Sequence, residues 1–288
     1  MLHEGEPPTD AELVRALVAA QFPHWSGLDV TPVPAEGTDN VIYRLGDGLS
    51  VRLPRGDGGA RQIDLERRWL PRLAPHLPAA VPDPVAVGAP ALGYPYAWAV
   101  YRWLAGANPV GPGGLAAPLA DFVLALRRID TGDGPPAKPG GRGSSLRHNR
   151  AADWIPALAG DYDPALLSAV WEADRSAPEW SGPPVWFHGD LHAGNVLVHG
   201  GTLAAVLDWS CLGVGDPAAD LLPAWLLLDA PGRAEFRARL GDDEGTWRRG
   251  RAWAFGMGLG LLAYYRDSAP GLAAMGRYGI DEVLAEVQ

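Results

Sequence analysis

Cysteine occurs once in the 288 residues, as Cys211. That excludes an internal disulfide and any zinc site built from several thiolates. Positive charge is also short: 24 Lys and Arg stand against 34 Asp and Glu, a formal net charge of −10. A protein that tracks nucleic-acid phosphates needs a basic face, so this balance points away from nucleic acid. It suits a soluble acidic surface and, through long-range attraction, a cationic small-molecule partner. No apolar run approaches the roughly 18 residues of a membrane span. The opening MLHEGEPPTDAEL has neither the basic stretch nor the apolar core of a signal peptide. The expectation is a cytoplasmic protein without a membrane partner, of unspecified oligomeric state. No internal repeat is visible.

What is present is ample apolar material. Hydrophobic residues make up 47% of the chain, enough for one large domain or two moderate ones. Residues 9–22 read as a helix, with Thr9 and Glu12 spaced as a capping box and Pro23 ending it. Strand patterns follow at 30–34, 40–45 and 49–53, then a helix at 61–73 and strands at 81–87 and 96–103. This is a compact α+β lobe. Composition then changes at 106–118, a Gly- and Pro-rich connector. Beyond it the pattern turns helical, at 119–129, 164–173, 219–228, 232–240 and 246–265. Residues 131–145, TGDGPPAKPGGRGSS, read as a mobile surface loop. The division expected is 1–104 for the sheet-rich lobe and 105–288 for the helical one.

The chemistry concentrates in residues 185–208, VWFHGDLHAGNVLVHGGTLAAVLD. An apolar run, Val185-Trp186-Phe187, feeds a polar loop holding His188, Asp190, His192 and Asn195. Two further apolar runs flank Gly200-Gly201, a strong signal for a two-residue hairpin turn. Counting back from that turn pairs His199 with Thr202 and Asn195 with Val206, and places Asp208 one diagonal from Asn195. Two carboxylates and an amide oxygen converging there suit a hard cation such as Mg²⁺.

The loop His188-Gly189-Asp190-Leu191-His192-Ala193-Gly194-Asn195, followed by Leu207-Asp208-Trp209 and by Gly213-Val214-Gly215-Asp216-Pro217-Ala218-Ala219-Asp220-Leu221, resembles the aminoglycoside phosphotransferase family. The resemblance extends over nearly the whole chain, including Trp103-Leu104-Ala105-Gly106. It implies a bilobal protein-kinase-like fold, with a small antiparallel-sheet N-lobe that binds nucleotide and a larger helical C-lobe with the catalytic loop and acceptor site. It implies a Mg²⁺-dependent transfer of the γ-phosphate of ATP or GTP to a hydroxyl of a small molecule. An aminoglycoside or related antibiotic leads as acceptor, ahead of a macrolide, a peptide antibiotic or a metabolite. By the same resemblance Asp190 orients the nucleophile or accepts its proton, and Asn195 and Asp208 ligate Mg²⁺. His188 and Asp220 brace the loop. Arg52, paired with Glu66, grips the phosphates where the family usually has lysine, a change from point charge to fork. Gly37 and Thr38 cover the phosphates, and main-chain groups around Arg102 and Leu104 hold the base.

Two other classes compete. His188-x-Asp190-x-His192 on an extended segment would share one face, as in a metal hydrolase. Arg52 in place of lysine suggests a nucleotide-binding pseudokinase. For the acceptor, candidate acidic groups are Asp153, Asp161, Asp163, Asp242, Asp243, Glu244, Asp267 and Asp281, with Trp154, Trp180, Tyr264 and Tyr265 as aromatic surfaces.

Overall fold

A computed structural model describes residues 6–34, 39–111 and 113–287. The chain divides into two compact units, Met1–Pro75 with Val81–Ala105, and His76–Ala80 with Gly106–Gln288.

The first unit is an antiparallel sheet with two helices. In chain order it comprises α1 (Ala11–Gln21), β1 (Val30–Pro32), β2 (Asn40–Leu45), β3 (Leu49–Pro54), α2 (Asp57–Leu73), β4 (Pro84–Gly88) and β5 (Trp98–Arg102). The sheet order is β1-β2-β3-β5-β4. Alternation in β2 and β3 sends Tyr43, Leu45, Val51 and Leu53 inward, where they meet Val14, Leu17 and Val18 of α1. Trp98 lies across from Gly88, so close that a Cβ there would stand 2.1 Å from its ring. The cap of α1 differs from the expected capping box: Asp10, not Thr9, accepts the Leu13 N–H at 2.7 Å. α2 begins four residues before the expected start at 61. Its Gly58-Gly59 masked the helix, yet Gly59 is needed because a Cβ would come within 2.8 Å of the Asp39 carbonyl.

The second unit comprises α3 (Ala116–Arg127), α4 (Pro164–Arg175), β6 (Val185–Phe187), β7 (Val196–His199), β8 (Thr202–Val206), β9 (Gly213–Gly215), α5 (Pro223–Leu226), α6 (Ala230–Leu240), α7 (Glu244–Tyr265) and α8 (Pro270–Val287). The helix expected over 219–228 is instead a 3₁₀ turn, Pro217–Asp220, followed by the single turn of α5. Pro223 lacks the N–H that would have continued the helix. α8 was hidden by Gly271, Gly276 and Gly279. The last two permit close approach: a Cβ on Gly276 would stand 2.7 Å from the Gly258 carbonyl of α7, and one on Gly279 2.4 Å from Leu226.

The hairpin β7–β8 turns at Gly200-Gly201, both at positive φ, and pairs His199 with Thr202 as expected. Its register then shifts by one residue, so Leu197 faces Ala205 and Val196 faces Val206. Asn195 consequently lies opposite Leu207, whose N–H it accepts at 2.7 Å, rather than opposite Val206. The diagonal count that placed Asp208 beside Asn195 fails with it. The carbonyl of Ala204, the extra residue, accepts the Ala80 N–H at 3.0 Å, which gives the bulge its role.

Residues 131–145 are not the free surface loop expected. Val214 of β9 donates to the Pro135 carbonyl at 2.7 Å and accepts from Ala137 at 3.0 Å, and Asp216 donates to Gly143 at 3.1 Å. Gly134 lies against Trp186 and Gly143 against Phe187, each without room for a Cβ. The Gly and Pro content that suggested mobility serves close packing. Among the described residues no helix is long and apolar enough to cross a membrane.

Candidate active site

In the second unit, β6 buries Trp186 and Phe187 and delivers the chain to His188, itself fully buried. Gly189 then turns at φ +80°, where a Cβ would stand 3.0 Å from the Cys211 carbonyl. This turn exposes two N–H groups, and Asp220 takes both: His188 N–H to Oδ2 at 2.9 Å and Gly189 N–H to Oδ1 at 2.7 Å. The His188 ring is engaged at both nitrogens. Nδ1 accepts the Asp190 N–H at 3.1 Å, so Nε2 carries the proton and donates to the Leu207 carbonyl at 2.9 Å. Asp220 and His188 thus tie the loop to the hairpin end and the segment after β9. A ring so occupied is no metal ligand, and the hydrolase reading loses the first member of its set.

Burial pushes the His188 pKa down against the pull of Asp220 and Asp190, which keeps the ring neutral. A depressed folded pKa means that the unfolded chain binds more protons below its ordinary value of about 6.5. Stability is therefore expected to be fully present above that value and to fall as pH drops below it, by at most about 1.4 kcal/mol per pH unit. Asp220, pushed up by burial, acts in the opposite sense, so the comparison needs a control. Urea midpoints from pH 8 to 5.5 should fall more steeply for the wild type than for His188→Gln. Equal slopes would contradict a neutral, buried His188.

Asp190 is held from several sides. Asn195 Nδ2 donates to its carbonyl and to its Oδ2, each at 2.9 Å. His192 Nε2 lies 3.5 Å from Oδ2, and His192 Nδ1 accepts the Gly194 N–H at 3.1 Å. With its amide hydrogens committed, Asn195 presents Oδ1, which accepts no hydrogen bond among the described residues. Asp208 stands at φ +56°, a left-handed conformation that Asp tolerates better than most residues, and accepts the Ser210 N–H at 3.2 Å. Asn108, from the connector, closes the loop from outside: its Nδ2 donates to the carbonyls of Ala193, Gly194 and Val196, each at 3.0 Å.

Arg142, from the 131–145 segment, was not anticipated. Its Nη2 donates to Asp190 Oδ1 at 2.5 Å and lies 3.2 Å from Cys211 Sγ, while its Nε donates to the Gly189 carbonyl. Burial pushes the Asp190 carboxyl up, but Arg142 and then His192 outweigh it and hold the group well below the usual carboxylate range. A lone arginine in a run of glycines carries no periodic signal, and only the aromatic packing of Gly134 and Gly143 brings it here.

In the first unit, Arg52 lies in β3 between Ile42 and Ala99. Its Nη1 bridges both carboxylate oxygens of Glu66, at 2.9 and 3.1 Å. Glu66 is fully buried on α2 and also accepts from Tyr101 at 2.6 Å and Gln62 at 2.9 Å. The guanidinium rests over the Tyr101 ring at 4.5 Å. Arg55, the next arginine along the chain, pairs with Glu6 at 2.7 Å. Lysine occurs once in the chain, as Lys138 of the second unit, so no lysine competes for Glu66. Arg102 commits its N–H to the Asp83 carbonyl at 3.1 Å and its side chain to the Asp83 carboxylate at 2.8 Å. Leu104, past the end of β5, enters no backbone hydrogen bond among the described residues. Gly37 and Thr38 lie outside the described residues.

Most of the acidic groups considered for the acceptor have structural partners. Asp163 and Asp243 cap α4 and α7. Asp153 pairs with Arg150, Asp161 with Arg266 and Arg277, Asp242 with Arg127, and Glu244 with Arg237. Asp281 accepts from Tyr162. Trp154 and Tyr264 are exposed and meet edge to face at 6.4 Å.

A five-stranded antiparallel lobe with a buried Arg–Glu pair, and a helical lobe with an Asp-x-x-x-x-Asn loop closing on a hairpin Asp, define a protein-kinase-like phosphotransferase fold. The sequence model of the phosphotransferase enzyme family matches residues 29–253, and the chain belongs to that family. The expected resemblance and fold class are borne out, and the family is one of phosphotransferase enzymes. Solved structures share the fold at low identity. The GDP and kanamycin complex of APH(2")-IIia is 19% identical, with a TM-score of 0.73, over 95% of this chain and 99% of that one. Macrolide 2'-phosphotransferase MphH from Brachybacterium faecium is 24% identical, with a TM-score of 0.63, over 94% and 98%. The streptomycin-ATP-APH(2")-IIa ternary complex is 15% identical, with a TM-score of 0.59, over 97% of each. No curated protein matches the chain by sequence.

Proposed function

We propose that this chain is a Mg²⁺-dependent O-phosphotransferase that moves the γ-phosphoryl group of ATP or GTP to a hydroxyl of a small molecule, with a hydroxylated antibiotic of the aminoglycoside kind as the leading acceptor. The observation that carries this reading is the Asp190–Asn195 arrangement. One loop residue presents an anchored carboxylate, and the other an amide oxygen with no donor of its own. The donor set suits a hard cation: the Asn195 oxygen and the Asp208 carboxylate are the oxygen ligands Mg²⁺ prefers. Bound there, Mg²⁺ would neutralise charge on the nucleotide phosphates.

Asp190 accepts a hydrogen bond from the acceptor hydroxyl and aims its lone pair at the γ-phosphorus. As the new O–P bond forms, the bond from phosphorus to the β–γ bridging oxygen breaks. Its electron pair leaves with the nucleoside diphosphate, and the hydroxyl proton passes to Asp190. A carboxylate held low by Arg142 is a weak base, so orientation is its main contribution and the proton moves late. Arg52, fixed by Glu66, contributes a cation to the phosphates, and its fork allows two parallel contacts to oxygen. The main chain near Leu104 holds the base. The intact Arg52–Glu66 pair favours an active enzyme over a pseudokinase.

Acceptor chemistry draws on the neighbours, of which one holds kanamycin, one streptomycin, and one is a macrolide kinase. The test is nucleoside-diphosphate release with ATP and with GTP, across aminoglycosides, macrolides, peptide antibiotics and sugar alcohols. Acceptor-stimulated, Mg²⁺-dependent release by the wild type is expected. Tight nucleotide binding with no release on any acceptor would instead indicate the pseudokinase.

A further inference from the structure

Asp190 already has a cation beside it. The guanidinium of Arg142 meets Oδ1 at 2.5 Å, while Asn195 takes Oδ2. This arginine is built in rather than swung in. Its Nε holds the Gly189 carbonyl and its Nη2 reaches Cys211 Sγ. The segment that carries it is hydrogen-bonded to Val214 on one side and, through Gly143, to Asp216 on the other. Gly143, at φ +79°, sits where a Cβ would stand 2.2 Å from the Phe187 ring, which fixes the backbone beside Arg142.

The placement has an electrostatic consequence for the acceptor. A bare carboxylate at the reacting position would attract an ammonium group next to the hydroxyl it orients. Here that attraction is cancelled by a guanidinium that no acceptor can displace without breaking three contacts. A hydroxyl bonded to Asp190 lies about one side-chain contact from Arg142. An ammonium on the adjacent carbon would then meet both charges of the pair, so the guanidinium removes an attraction worth on the order of tenfold in a partly screened site.

We propose that Arg142 sets acceptor specificity: its guanidinium, fixed on Asp190, cancels the carboxylate's pull on an ammonium beside the reacting hydroxyl, so that amino and hydroxyl neighbours are accepted alike. This rests on the phosphotransferase reading above. Ammonium groups elsewhere on a larger acceptor are unaffected.

The experiment compares kcat/KM for transfer of ³²P from γ-labelled nucleotide to two matched acceptor pairs. One pair is methyl glucoside and methyl 2-amino-2-deoxyglucoside. The other is the most active acceptor of the panel and its counterpart with an amine exchanged for hydroxyl next to the reacting position. The wild type should use both members with similar kcat/KM, within about threefold. Arg142→Met, of similar length without charge, should lower total activity and favour the amine by about tenfold, and Arg142→Lys should return the ratio toward that of the wild type. The ratio of the two acceptors is independent of how much variant folds, so a loss of stability does not mimic the result. A ratio unchanged in Arg142→Met, or a wild type that already favours the amine by about tenfold, would overturn the proposal while leaving phosphotransfer intact. No label in any acceptor would overturn the phosphotransferase reading and this proposal with it. If Arg142→Met yields no folded protein, the wild-type ratio alone decides.

Discussion

Replacing Asp190 by asparagine is expected to lower kcat by about 10²–10⁴-fold, the usual contribution of a positioned acid–base group. Nucleotide affinity should change little. The amide keeps an oxygen for Arg142, so the guanidinium that now meets Oδ1 retains an acceptor, while Asn195 loses its bond to Oδ2 and keeps the one to the main-chain carbonyl of residue 190. The introduced amide cannot take a proton, and it accepts the nucleophile's hydrogen bond more weakly than a carboxylate. Steady-state kinetics should therefore show a fall confined to kcat and kcat/KM for the acceptor. A variant within threefold of wild type, with far-UV and near-UV circular dichroism unchanged, would move the nucleophile's partner elsewhere.

The largest stability effect is expected at Arg249. Its Nε and Nη2 meet Asp216 Oδ2 and Oδ1 at 2.6 and 3.1 Å, and both side chains are more than 90% buried. Its Nη1 also donates to the Pro178 carbonyl at 2.8 Å. Asp216 in turn caps the turn that carries Asp220, accepting the Ala218 N–H at 2.9 Å. Arg249→Met would leave a carboxylate buried with one donor in place of three. Breaking a buried pair from one side costs about 3–5 kcal/mol. Urea unfolding at pH 7 should show a loss of that size, and activity should fall because Asp220 anchors the His188 and Gly189 amides. Removing both charges together, as Arg249→Met with Asp216→Leu, should recover part of it. A loss below about 1 kcal/mol, the range of an exposed pair, would mean the pair is wetter than its burial indicates.

The sheet-rich lobe was legible because alternation is a two-residue signal that survives in short segments: β2 and β3 fall where their patterns predicted. The Gly200-Gly201 turn was legible for the same reason, since positive φ at two successive residues leaves few alternatives. The hairpin's bulge was not, because a one-residue slip at Ala204 responds to an outside donor, Ala80, that no local pattern contains. α8 and the start of α2 were obscured by glycines placed for close approach, which lower the helix signal while serving the packing. The site divides along the same line. Asp190, Asn195 and Asp208 lie close in sequence and could be read together. Arg142 and Asn108, which hold that loop from 48 and 85 residues away, could not. Tertiary contacts of this kind depend on which glycine faces which aromatic ring, and that is settled only when the chain is folded.

The most direct measurement is the fate of the γ-phosphate. With ³²P-labelled ATP or GTP, Mg²⁺ and an active acceptor, the label should appear on an acceptor hydroxyl in step with nucleoside-diphosphate release. It should cease on chelation of the metal and fall with Asp190→Asn. Label recovered only as inorganic phosphate, or transferred to the acceptor as fast without Asp190, would contradict the account.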